Sequence, residues 1–236
     1  MKWAENIEGI CSFYLLKKTV KVFKTLTVCV GGYQKENPYI MADKLLLEPE
    51  NYYLIYNCGN NGQNIFFEKR NYEFFLHRMD QYLSPFCEIL AWVLLKNHFH
   101  LLVFIKGDID TEKLIYTATQ VPKKVDVHLQ FGHFFNSYAK AINKRYERTG
   151  SLFEKNFERK LIDSEEHLRK AIHYIHHTPK KHGFAENVCD YPWSSYGSVI
   201  SDKPTKLKRD FVLSLFEGVE TFKAMHEVDM DYGELF

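Results

Sequence analysis

From Asn51 onward, apolar and polar positions fall into regular patterns. Tyr52 to Asn57 is rich in β-forming residues and stops at Cys58-Gly59-Asn60-Asn61-Gly62, which predicts a strand and then a loop. Ile65-Phe66-Phe67 follows. Over Lys69 to Leu83, the residues Tyr72, Phe75, Leu76, Met79 and Leu83 share one helical face, and Ser84-Pro85 ends the pattern. Ile89 to Leu95 and Phe99 to Ile105 are continuous apolar runs separated by Lys96-Asn97, the pattern of two buried strands joined by a tight turn. Asp110 to Thr119 predicts a short helix that ends before Pro122.

A longer helix is predicted over Val127 to Arg148, with Val127, Phe131, Phe134, Phe135, Tyr138, Ile142 and Tyr146 as its apolar stripe. Gly150 suits its C-cap, and Lys144, Arg145 and Arg148 suit the negative end of its dipole. Phe157 to Ile162 reads as a last strand. Asp163 or Ser164 then caps a helix with Glu165 and Glu166 in its first turn, running to about His177 and ended by Thr178-Pro179. Strand, helix, strand, strand, helix, strand is economically built as a ferredoxin-like α+β fold: an antiparallel sheet with helices on one face, here with a helical C-terminal extension.

Residues 1–40 differ from the rest. They carry a basic-aliphatic patch and turn signals at Gly31-Gly32 and Asn37-Pro38, and read as an N-terminal extension. The expected organisation is that extension, a principal domain over 41–200, and an acidic helical tail over 201–236. The five cysteines, Cys11, Cys29, Cys58, Cys87 and Cys189, include no CxxC pair. An odd, scattered set suggests reduced thiols and a cytoplasmic setting. No stretch reads as a signal peptide or a membrane span, because Lys17, Lys18, Lys21 and Lys24 interrupt the most apolar N-terminal segment.

Charge is balanced overall, with 31 Lys+Arg against 30 Asp+Glu, so any polyanion site must come from local clustering. Such a cluster exists. Tyr138 to Lys160 holds Lys140, Lys144, Arg145, Arg148, Lys155, Arg159 and Lys160 against three glutamates, with Tyr146, Phe153 and Phe157 interleaved. Cations for phosphates and flat rings for bases suit single-stranded nucleic acid, although such runs are also common on solvated helix faces. The tail from Glu217 is acidic and offsets this cluster.

The stretch Asn97-His98-Phe99-His100 stands out inside an apolar run. Side chains alternate along a strand, so His98 and His100 share a face, with Cα atoms about 7 Å apart, and can converge on one metal ion. Two half-buried histidines satisfied by carbonyls would give the same pattern. Tyr138, on the stripe of the long helix, could be core, or could be a nucleophile if its face meets the same side of the sheet. His173, His176 and His177 form a second cluster in which His173 and His177 could bind zinc; with no third ligand apparent, capping or surface roles are favoured.

Several segments together resemble a known family. His98-Phe99-His100 is similar to the HUH motif, and Phe135 to Tyr146 to the tyrosine helix of REP-associated tyrosine transposases and their insertion-sequence relatives. Arg148-Thr149-Gly150-Ser151-Leu152-Phe153, Tyr174-Ile175-His176-His177-Thr178-Pro179-Lys180-Lys181-His182-Gly183 and Tyr191-Pro192-Trp193-Ser194-Ser195-Tyr196 resemble its later landmarks. The resemblance covers about residues 50–198. It implies an HUH endonuclease fold that cleaves and rejoins single-stranded DNA at hairpins, with Tyr138 forming a 5′-phosphotyrosine link. It implies His98 and His100 as ligands of a divalent ion, Mg²⁺ or Mn²⁺. Lys140, Lys144, Arg145, Arg148, Lys155 and Arg159 would contact DNA.

The sequence departs from the family at Asn57-Cys58-Gly59, Asn156, Glu158 and Thr178. Ile142 occupies the place where compact relatives carry a ligating Gln, which leaves Asn143 as the polar candidate for a third ligand. The same resemblance admits an alternative, a domesticated hairpin-DNA-binding protein with impaired catalysis. The implied protein is a monomer or homodimer, cytoplasmic and nucleoid-associated, without a membrane partner.

Overall fold

The computed structural model of the protein describes residues 46–115 and 125–233. The expected N-terminal extension and the end of the expected Asp110–Thr119 helix lie outside those residues; within 110–115 the chain forms a turn at 111–113 and no helix. The elements in chain order are β1 (Tyr52–Cys58), α1 (Lys69–Leu83), β2 (Cys87–Leu95), β3 (His98–Ile105), α2 (Val127–Arg145), β4 (Glu158–Ile162), α3 (Glu165–Lys181), α4 (Tyr196–Ile200), α5 (Arg209–Leu215) and α6 (Val219–Met225). The four strands form one antiparallel sheet in the order β2-β3-β1-β4. This is the α+β architecture expected from the sequence, with a helical C-terminal region, but helices cover both faces of the sheet where one was expected, because the strands are apolar on both sides.

Alternation along the strands divides the core in two. Tyr53, Ile55, Phe99, Leu101, Val103 and Ile105 pack on one face with Phe75 of α1 and Phe131, Phe134, Phe135 and Tyr138 of α2. Leu54, Val93, Leu102 and Ile162 pack on the other with Leu168, Ala171, Ile172 and Ile175 of α3 and with Val212, Leu215 and Phe222 of the C-terminal helices. The first is the aromatic face below. The second carries the histidine pair, because His100 stands opposite Val93 and Tyr56 in the ladder.

The β2–β3 hairpin turns on Lys96-Asn97, with Leu95 opposite His98. Gly59, just after β1, passes the chain so tightly that a Cβ there would lie 1.9 Å from the Gln63 carbonyl oxygen, so only glycine fits. Ser164 is the cap of α3, its hydroxyl accepting from the His167 amide at 3.2 Å.

Two helix ends differ from expectation. α2 stops at Arg145, not Arg148. Tyr146 is its C-cap, Glu147 turns left-handed at φ 50°, and Gly150 lies in the loop beyond. The Tyr146 hydroxyl is tied to Glu68 and Asn71 at the start of α1, which draws the chain away from the helix axis. α3 continues through Thr178-Pro179 to Lys181. A proline in the last turn forfeits one amide donor, a small loss where the helix is ending anyway. Among the described residues, no helix is long and apolar enough to cross a membrane.

Candidate active site

His98 and His100 sit side by side at the start of β3, as alternation requires, with ring centroids 5.5 Å apart. The His98 ring is oriented by its neighbour: Nδ1 lies 2.8 Å from the Asn97 carboxamide oxygen, which can only accept. Nδ1 therefore carries the proton and Nε2 keeps its lone pair. His100 is 8% exposed, and its Nδ1 is buried without a hydrogen-bond partner. Burial, then the neighbouring imidazoles of His100 and His182, holds His98 well below the usual histidine range. Burial, then His182, brings His100 down to about 3. Both rings are neutral at pH 7, the state in which imidazole binds a metal. Lone pairs on a neutral pair, one of them otherwise orphaned, fit a divalent ion as two of its ligands. Among the described residues, no three His, Cys, Asp or Glu side chains already surround a common point.

Tyr138 is not brought to this pair. It lies on α2, against the aromatic face, fully buried and ringed by Phe66, Phe75 and Phe153 at centroid distances of 5.6, 5.0 and 6.1 Å. Its hydroxyl donates to the Ile65 carbonyl at 2.8 Å, and burial pushes its ionisation far above the ordinary tyrosine value. The sheet stands between this phenol and the histidines, and the expected juxtaposition is corrected accordingly. Asn143 is also on α2. Its Nδ2 donates to the Gly150 carbonyl at 2.9 Å, so it too is away from the pair it was expected to complete.

A different tyrosine is present there. Tyr174, on α3, lies edge-on to His100 with centroids 5.4 Å apart, and Tyr56 of β1 stacks on the other side at 5.6 Å. Lys181, two turns on along the same side of α3, places Nζ 5.2 Å from the Tyr174 ring and 3.7 Å from that of Tyr232. Tyr232 meets Tyr174 edge-on at 5.3 Å. Burial, then Tyr56, raises the Tyr174 pKa above its ordinary value, while a hydrogen bond with Thr178 opposes the shift. The signal for this residue was available in the sequence: Tyr174, Thr178 and Lys181 recur at helical spacing on one side of α3.

No family model matches the chain. A Haemophilus influenzae protein named as a REP-associated tyrosine transposase is 29% identical over 114 residues, which is 48% of this chain and 60% of that relative's length. A solved structure, that of a REP-associated tyrosine transposase bound to a REP hairpin, superposes with a TM-score of 0.51 and 17% identity. The superposition covers 74% of this chain and 89% of that one, a likeness of fold. The chain is similar to REP-associated tyrosine transposases, in sequence over 114 residues and in fold. It spans about three fifths of the curated relative it matches.

In this relative of the REP-associated tyrosine transposases, the basic strip sits on the aromatic-face side. Lys140 and Lys155 line an open groove of about 410 Å³ with Asn57, Phe135 and Asn143. Lys144 is exposed, Arg145 lies 3.8 Å from Glu68, and Arg148 donates to Gln63 while lying over the Phe67 ring. Arg159 lies over Phe157 and contacts His128. The interleaved rings are not stacking platforms: Phe153 and Phe157 are in the core, and Tyr146 is engaged with α1. Phe67, 42% exposed, is the open ring of this region.

The second histidine cluster is buried, contrary to the surface roles expected for it. His173, His176 and His177 are joined by His226 of the C-terminal segment. His226 Nδ1 donates to the Phe222 carbonyl, His176 Nδ1 to His226 Nε2, and the Ser195 hydroxyl to His176 Nε2. His177 donates to the His226 carbonyl, and the Tyr232 hydroxyl to His173 Nδ1. With every ring neutral this network is satisfied, and it docks the C-terminal helices on α3.

Proposed function

We propose that this chain cleaves and rejoins single-stranded DNA at hairpins through a covalent phosphotyrosine link, with Tyr174 as nucleophile and His98 and His100 holding a divalent ion, Mg²⁺ or Mn²⁺. The observation that carries this reading is the Tyr174 ring 5.4 Å from His100, on the sheet face that holds both imidazoles. The substrate class is taken from the hairpin-bound relative and from the basic strip. Tyr174 Oη would form the bond to phosphorus as the bond to the 3′ oxygen breaks; the phenol gives up a proton and the departing 3′ oxygen gains one. The link retains the energy of the phosphodiester, so return attack by the 3′ hydroxyl rejoins the strand without a nucleotide cofactor. Lys181 supplies positive charge beside the phenol and the phosphate. A bound divalent ion supplies Lewis-acid stabilisation of charge on the phosphate and the leaving oxygen.

One observation favours a second reading, hairpin binding without cleavage: the Tyr232 ring and the Lys181 ammonium pack against Tyr174. A single experiment separates the two. A labelled hairpin oligonucleotide is incubated with protein and Mn²⁺, and adducts that survive denaturing electrophoresis are scored. Cleavage gives an adduct that is kept in Tyr138→Phe and lost in Tyr174→Phe, His98→Ala and His100→Ala. An adduct that persists in Tyr174→Phe removes that residue from the chemistry. Salt-sensitive binding without an adduct, with any divalent ion, supports the binder.

A further inference from the structure

We propose that His182 is a third imidazole ligand of the divalent-ion site, closing it from the C-terminal end of α3. The proposal rests on the reading that His98 and His100 hold an ion, and it adds a ligand from a distant part of the chain.

The first support is proximity. The His182 ring meets His98 at a centroid distance of 4.9 Å, nearer than the 5.5 Å between His98 and His100. A hairpin and a helix end separated by more than eighty residues thus bring three imidazoles to one side of the sheet. The second is donor chemistry. In these rings the Asn97 carboxamide fixes one nitrogen of His98, and His100 Nδ1 is buried with no partner. A buried nitrogen lone pair without a proton donor needs a cation or a water, and clustered neutral imidazoles suit the former. Lys181, the cation beside His182, packs its ammonium on the Tyr174 and Tyr232 rings.

The third support is that the Tyr174 phenol is assigned to the phosphate and the next polar side chain along that side of α3 is already used. Thr178 is the polar residue one turn before His182, and its hydroxyl donates to the Tyr174 carbonyl at 2.7 Å, inside the helix. His182 follows as the C-cap, where the side chain is partly exposed and can rotate. Because the three side chains do not already surround a point, the site closes by rotation of the His182 ring as the ion enters. Three imidazoles favour a first-row transition ion, with DNA phosphate oxygen or water completing the shell.

The test uses the metal-stripped full chain titrated with Co²⁺, read by calorimetry and by visible absorption, neither of which depends on DNA cleavage. One Co²⁺ per chain is expected. His182→Ala should weaken binding roughly tenfold or more and change the visible bands. His182→Asn gives the same comparison should the alanine variant melt early without metal. Binding that is lost in His98→Ala but unchanged in affinity and spectrum in His182→Ala overturns the third ligand and leaves the pair intact. Absence of Co²⁺ binding, or binding indifferent to His98→Ala and His100→Ala, removes the ion reading and the third ligand together.

Discussion

The two faces of the sheet each carry a tyrosine on a covering helix, and the two residues live in opposite environments. Tyr138 is sealed among phenylalanines with its hydroxyl spent on a backbone carbonyl. Tyr174 is only part-buried and lies among a cation, a second phenol and neutral imidazoles. The same side chain serves packing on one side and, on the proposed reading, chemistry on the other. Position on an apolar stripe argues for the first role; polar company along one side of a helix argues for the second.

The largest effect expected from this contrast is on stability. Tyr138→Ala should destabilise the chain by about 3–5 kcal/mol, the range for removing a buried aromatic ring, and Tyr174→Ala by far less, measured by urea unfolding. If Tyr174→Ala costs as much, the division of roles fails.

Acid should act next, and on one face. His100 and His226 are held at about 3 and His177 at about 4, with His173 and His176 also lowered, chiefly by burial. Between those values and the ordinary value of about 6.5, the unfolded chain binds protons that the native chain does not, so stability is full above pH 6.5 and falls as pH drops toward 4. Hydrogen exchange at pH 5 should open α3 and the C-terminal helices before α1 and α2. Simultaneous opening would show that the faces are not separate in stability.

Gly59→Ala should cost about 1–3 kcal/mol, because the added methyl meets the Gln63 carbonyl, and should lower the melting temperature without touching the aromatic core. Tyr138→Phe should cost about 1–2 kcal/mol by leaving the Ile65 carbonyl unpaired while any DNA adduct is retained. The smallest effect belongs to the surface. Arg145→Ala should change stability by less than about 0.5 kcal/mol, because its pair with Glu68 is long and exposed. If Arg145 contacts DNA, the same variant should reduce the salt slope of hairpin binding by about one unit.

Much of the fold was legible in the sequence. Period-two and helical patterns located the strands and α1 to α3, and alternation put His98 and His100 together. What alternation left open was the assignment of faces. β3 is apolar on both sides, so nothing local tells that α2 meets Phe99 while α3 meets His100. With the faces unassigned, Tyr138 on the long helix is as eligible as Tyr174. The run through Pro179 was hidden because proline is a stop signal in general but tolerable in a final turn. His182 was hidden because its partner ring, His98, is more than eighty residues away in the chain, and the C-terminal helices are too short for their second-face packing to show as periodicity.

Asn97 makes the reversal between β2 and β3 and also grips the ring that follows it. Folding of the hairpin and aiming of the imidazole are therefore a single event. A one-residue insertion at that bend would slide Phe99 into the polar cluster and drive His100 toward the phenylalanines, so tolerance for lengthening should be lower here than at any loop that merely connects.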